Sequence, residues 1–86
     1  MENIKNLFEA AKRDVESLKE RPSNETLLLL YALYKQSTEG DNNNENPQNP
    51  FDFVAKAKYE AWISQKGKSS DQAMQEYIDL VDRLRS

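Results

Sequence analysis

The chain has no cysteine and no histidine among its 86 residues. Without cysteine there are no disulfide staples, a usage that suits a reducing compartment. Without either residue, the thiolate and imidazole metal ligands, the usual strong nucleophile and the usual general base are all missing. Glycine is scarce: the two present read as helix stops, so no Gly-rich phosphate loop exists. No apolar run approaches the roughly 18 residues that cross a bilayer. The start, MENIKNLFEAAKRD, is too charged for a secretory signal, so Asn24-Glu25-Thr26 reads as a chance match to a glycosylation acceptor. A basic excess is missing too: 12 Lys and Arg stand against 15 Asp and Glu, a net charge of −3, which argues against general nucleic-acid binding. Glu39, Asp41 and Glu45 lack the spacing and the terminal bidentate glutamate of a calcium loop. These absences describe a soluble intracellular protein, not an enzyme, with no metal, no nucleic-acid partner and no stable membrane insertion.

What is present is helical patterning. Charged residues make up 31% of the chain and mix in sign, as on a solvated helical surface. The length suits one domain, residues 1–86, with a modest core, because folding at this size buries only about 60 to 65% of the unfolded surface. Ile4, Leu7, Phe8, Ala11, Val15 and Leu18 recur at steps of three and four, predicting a first amphipathic helix that Pro22 stops. Ser23 or Asn24 caps a second helix, which runs through TLLLLYALYKQST to Gly40. It is apolar almost all round, from Leu27 to Tyr34, and must be covered on more than one side. The stretch GDNNNENPQNP, residues 40–50, is full of turn formers. A connection this long lets the next helix run parallel to the one before it. Asp52, between Phe51 and Phe53, caps a third helix carrying Val54, Ala57, Lys58, Ala61 and Trp62, with Gly67 as its end. Ser69 and Gln72 have capping-box spacing and open a fourth helix with Ala73, Met74, Tyr77, Ile78, Val81 and Leu84. The expected class is all-α.

Residues 31–41, YALYKQSTEGD, close the most apolar helix. Positions i, i+3 and i+4 share a face, so Tyr31, Tyr34 and Lys35 form one aromatic and cationic cluster. Two readings fit: half-buried core tyrosines beside a lysine near a helix C-terminus, or a docking surface for a flat, anionic head attached to an oily tail. On the third helix Lys58 and Trp62 are four apart with Tyr59 to one side, while Lys56 lies about 200° round from Lys58 and cannot face the same pocket. Trp62 alone reads as core, and so does Tyr77 among its apolar neighbours. Taken alone the cluster fits the core reading better; aromatic and lysine pairs on both helices flanking the long loop raise the docking-surface reading beside it.

YALYKQSTEGD, KAKYEAW at 56–62 and GKSSDQAMQEYIDLV from Gly67 together resemble the acyl-CoA-binding protein family. The order is right across nearly the whole chain, including Pro22 between the first two helices. The resemblance implies a four-helix bundle of up-down-down-up topology with the long loop between helices 2 and 3. The implied ligand is a long-chain acyl-CoA thioester, bound, buffered and transported without conversion, with no cofactor. It further implies that Tyr31 and Lys35 address the phosphorylated ribose and phosphates, that Tyr34 meets the adenine, that Lys58 adds a phosphate contact, and that Tyr77 helps line the site. The physics agrees: lysine is a flexible point charge suited to phosphate oxygens, and stacking on an aromatic ring contributes about 1 to 3 kcal/mol per base. Glu16 stands where many members carry a lysine near the nucleotide, with Lys12 and Lys19 one turn away as substitutes. Tyr59 replaces a frequent tryptophan, and the Asn-rich loop is slightly longer than usual.

The acyl chain is expected between helices against Leu27, Leu28 and Ala57, shielded by the nucleotide head. A cytoplasmic monomer is the expected form, with no sticky exposed stripe for self-association. Two other functions fit the residues: a helical interaction module that docks a partner helix in the same groove, and a generic fatty-acid carrier indifferent to the CoA head.

Overall fold

In the computed structural model, which describes residues 3–86, a short polar side chain opens each helix. Asn3 Oδ1 accepts from the Asn6 amide (2.9 Å) ahead of α1, Ile4–Glu16. Ser23 Oγ accepts from Thr26 (3.1 Å) ahead of α2, Asn24–Glu39, which settles the choice between Ser23 and Asn24. Asp52 Oδ1 accepts from Ala55 (3.0 Å) ahead of α3, Phe53–Ile63. Ser69 Oγ accepts from Gln72 (3.1 Å) ahead of α4, Ser70–Arg85. Each cap satisfies one of the orphan amides of a first turn and contributes about 1 kcal/mol.

Two helix ends fall earlier than the sequence suggests. α1 stops at Glu16 rather than at Pro22, because the Ser17 amide and hydroxyl both donate to the Asp14 carbonyl and the Leu18 amide turns to Val15. These bonds tighten the last turn and leave Leu18 outside the helix. α3 stops at Ile63. The Gln65, Lys66 and Lys68 amides then bond three residues back, to Trp62, Ile63 and Gln65. Gly67, at φ +92°, closes that tightened run instead of the helix itself, in a backbone region that favours glycine.

Side-chain contacts fix the helix directions. Asp14 and Arg85, at the C-terminal ends of α1 and α4, form an ion pair, so these two helices run parallel. Ser70 Oγ, at the start of α4, donates to the Ser37 carbonyl near the end of α2 (2.6 Å), so α2 and α4 are antiparallel. Trp62, near the end of α3, donates its indole N–H to the Gly40 carbonyl just past α2 (2.8 Å), so α2 and α3 are parallel. The result is an all-α bundle of up-down-down-up topology. α4 packs on α1 and α2, and α2 also packs on α3, so the apolar α2 is covered on two sides as expected.

The core lies where α1, α2 and α4 meet, in a cluster that includes Phe8, Leu30, Leu33, Tyr77, Ile78 and Val81. α3 contributes one buried side chain, Trp62. The Cα envelope is flattened, 44 × 29 × 15 Å, because α3 extends a row of helices instead of closing on α1. The seam between α2 and α3 therefore opens to solvent on one face.

Candidate functional site

Parallel helices bring residues of like position level with each other, and this sets the pattern of the α2–α3 seam. Tyr31 and Lys35 are one turn apart on α2, as are Lys58 and Trp62 on α3. Lys58 Nζ lies 5.2 Å from the centre of the Tyr31 ring, and Lys35 Nζ lies 5.0 Å from that of Trp62. Each helix thus places a lysine over an aromatic ring of the other. Such contacts are worth about 0.5 to 1 kcal/mol at exposed sites and keep both ammoniums on the same side of the seam. Lys35 also ion-pairs with Glu39, one turn further along α2. The Glu39 hydrogen bond raises the Lys35 pKa above the ordinary lysine value; partial burial opposes this, and the charges of Glu39, Tyr31 and Tyr34 add to it.

Toward the N-terminal ends of the same helices the lining turns apolar. A groove of about 420 Å³ runs between them, lined by Leu27, Leu28 and Tyr31 of α2 and Phe53, Val54, Ala57 and Lys58 of α3, with Arg21 and Asn24 at its far end. Phe53 and Val54 are 73% and 65% exposed, so the seam is an open trough there. Two other depressions, between α2 and α4 and between the C-terminal ends of α1 and α4, carry several charged side chains each.

Tyr34 turns the other way, toward α1. Its ring stacks at 6.2 Å on Phe8, and Lys12 Nζ stands 5.0 Å over it. Tyr77 packs its edge on Phe8 at 5.0 Å and is buried. Burial raises the Tyr77 pKa, and the nearby Tyr34 and Glu16 charges add to this, so the phenol stays neutral. Of the residues singled out by sequence, Tyr31, Lys35, Lys58, Leu27, Leu28 and Ala57 share the seam. Tyr34 forms its flank, and Tyr77 lies behind Tyr34 in the core. Lys12 is the first-helix cation beside this flank, whereas Lys19 lines the depression between the α1 and α4 ends.

Four features escaped the sequence reading. Trp62 is a core residue as expected, yet its face also carries the Lys35 ammonium. Glu39 enters the sequence reading only among the acids that fail as a calcium loop, although its spacing from Lys35 signals a helical ion pair. Phe53 and Arg21 line the trough, and no local pattern announces that, because it depends on how α3 sits against α2.

The long loop is anchored at its start. The Asp41 carboxylate accepts from the Gly67 amide (2.9 Å) and from Gln36 Nε2 (2.8 Å), and Gln36 also donates to the Lys68 carbonyl (3.0 Å). The Gly67 bond, then the Gln36 bond and the Lys66 charge, hold the Asp41 carboxyl below its ordinary pKa against a small desolvation effect. With the Trp62–Gly40 bond, this clasp ties the end of α2 to the turn between α3 and α4. Among the described residues no group of three His, Cys, Asp or Glu side chains could hold a metal, and no helix is long and apolar enough to cross a membrane. Chemically, the seam offers two ammoniums and aromatic faces at one end and an apolar trough at the other.

The chain is similar to known proteins in sequence and in fold. The family described as acyl CoA binding protein matches residues 5–81. The acyl-CoA-binding protein homolog of Drosophila melanogaster is 52% identical over 77 residues, covering 90% of this chain and 88% of that protein. The acyl-CoA-binding protein of Saccharomyces cerevisiae is 48% identical over 81 residues, covering 94% and 92%. The crystal structure of acyl-CoA-binding protein 2 from Oryza sativa superposes with a TM-score of 0.89 at 36% identity, covering 95% of this chain and 90% of that one.

Proposed function

We propose that this chain, which belongs to the acyl CoA binding protein family, binds long-chain acyl-CoA thioesters in the α2–α3 seam and buffers and carries them unchanged. The supporting observation is the gradient along two parallel helices: Lys35, Lys58, Tyr31 and Trp62 at one end, an open apolar trough at the other. An acyl-CoA has that same polarity, anionic head to apolar tail. In this reading Tyr31 and Lys35 hold the phosphorylated ribose and phosphates, with Lys58 as a further phosphate ligand. Tyr34 stacks on the adenine, Tyr77 backs it, and Leu27, Leu28 and Ala57 receive the chain.

The magnitudes support a carrier. A chain of about 16 carbons has a gross transfer term near 12 kcal/mol at ~0.8 per methylene. An open trough recovers part of that, and association costs several kcal/mol, so tight binding needs the head contacts as well. Charge-assisted hydrogen bonds to phosphate, roughly twice as strong as neutral ones, supply them. In this reading the thioester is held without being attacked. We place this activity in the cytoplasm, in a monomer that needs no cofactor.

The reading is tested by incubating the protein with hexadecanoyl-CoA. The expected outcome is a rise in thermal midpoint with the thioester recovered intact after prolonged incubation. No midpoint change would refute ligand binding and favour a helix-docking module, and hydrolysis in proportion to protein would show an enzyme instead.

A further inference from the structure

Glu39 is the carboxylate paired with a seam lysine, and the proposed ligand contacts give it no use. It ends α2 and pairs with Lys35. Helix energetics favour it only weakly. A carboxylate at a helix C-terminus opposes the macrodipole, and with lysine preceding glutamate at i, i+4 the pair has the weaker of the two orders. The pair does occupy the ammonium that stands over Trp62.

We propose that Glu39 is an internal counter-ion that sets the affinity of the site, occupying Lys35 as a stand-in for a ligand phosphate until a phosphate displaces it. The inference rests on the functional reading above and adds a residue to it. The geometry permits the exchange. The Glu39 side chain is 51% exposed and that of Lys35 is 24% exposed, so the carboxylate can swing into water while the ammonium stays against Trp62. The neighbouring acid cannot take the same part, because Asp41 is held by Gly67 and Gln36. A phosphate monoester carries about −1.5 to −2 charges near neutral pH, so it outcompetes a single carboxylate at Lys35. Every binding event then pays the loss of the internal pair, and that lowers the observed affinity.

The test is a double-mutant cycle by titration calorimetry with hexadecanoyl-CoA on the wild type, E39Q, K35A and K35A/E39Q, with helicity checked for each. An exposed ion pair is worth up to about 1 kcal/mol, so E39Q should tighten binding about two- to fivefold. The gain should vanish in the K35A background and shrink toward ~1 M salt, where screening is strong. If E39Q binds no more tightly, or if the gain survives without Lys35 as simple repulsion would, the inference is overturned while wild-type binding still upholds the function. A wild type that takes up no ligand would instead overturn the function, and the inference with it.

Discussion

At the scale of single residues, Lys35 carries the largest share of the proposed head-group grip. Its ammonium is positioned from both sides, by the Trp62 face and by Glu39, whereas Lys58 is exposed and touches Tyr31 alone among the rings. Replacing Lys35 with alanine removes a charge-assisted phosphate contact from the proposed site. We expect hexadecanoyl-CoA binding to weaken by more than ~1 kcal/mol with helical circular dichroism unchanged. An unaltered dissociation constant would remove Lys35 from the site. Tyr34 and Tyr77 show where residue-level reading reaches its limit. The i, i+3 spacing of Tyr31 and Tyr34 suggests one shared face, yet the seam and the α1 flank divide them, because α2 is covered on two sides and each tyrosine meets a different neighbour.

At the scale of elements, the helices were legible because caps and periodicity are local signals. Ser23, Asp52 and Ser69 each cap where a short polar side chain precedes an apolar run. The ends were harder. Pro22 breaks any helix running through it but does not require helix up to it, and Ser17 diverted the backbone five residues earlier. The same limit applies at Gly67, where three tightened bonds intervene after Ile63. The clasp holding the loop was not legible, since it joins Gln36, Asp41 and Gly67 through distant parts of the chain. It yields a prediction. Trp62→Phe keeps a ring for Lys35 but deletes the indole donor to Gly40, so the thermal midpoint should fall, with a loss of about 1 to 3 kcal/mol from the hydrogen bond and the reduced packing. A midpoint equal to that of wild type would mean that the Gly40 bond does not anchor the loop.

At the scale of the whole molecule, the long connection from Gly40 to Asp52 is what allows α3 to run parallel to α2, and the parallel pair is what separates charge from oil along one seam. A short turn would have set α3 antiparallel and placed Lys58 beside the wrong end of α2. With the mild net charge of −3, the lysines of the proposed site would hold an anion against a weakly repulsive field, and the proposal accordingly assigns tight binding to both ends of the seam together. The topology and the placement of Tyr31, Lys35 and Lys58 along one seam were readable together, because the loop length and the lysine-aromatic spacing point to the same geometry. The openness of the trough was not, since it follows from α3 meeting α2 alone. The direct measurement is a parallel calorimetric titration with hexadecanoyl-CoA, free CoA and hexadecanoate. The two-part seam predicts tight binding of the first and much weaker binding of each half, and hexadecanoate binding as tightly as its CoA ester would contradict it.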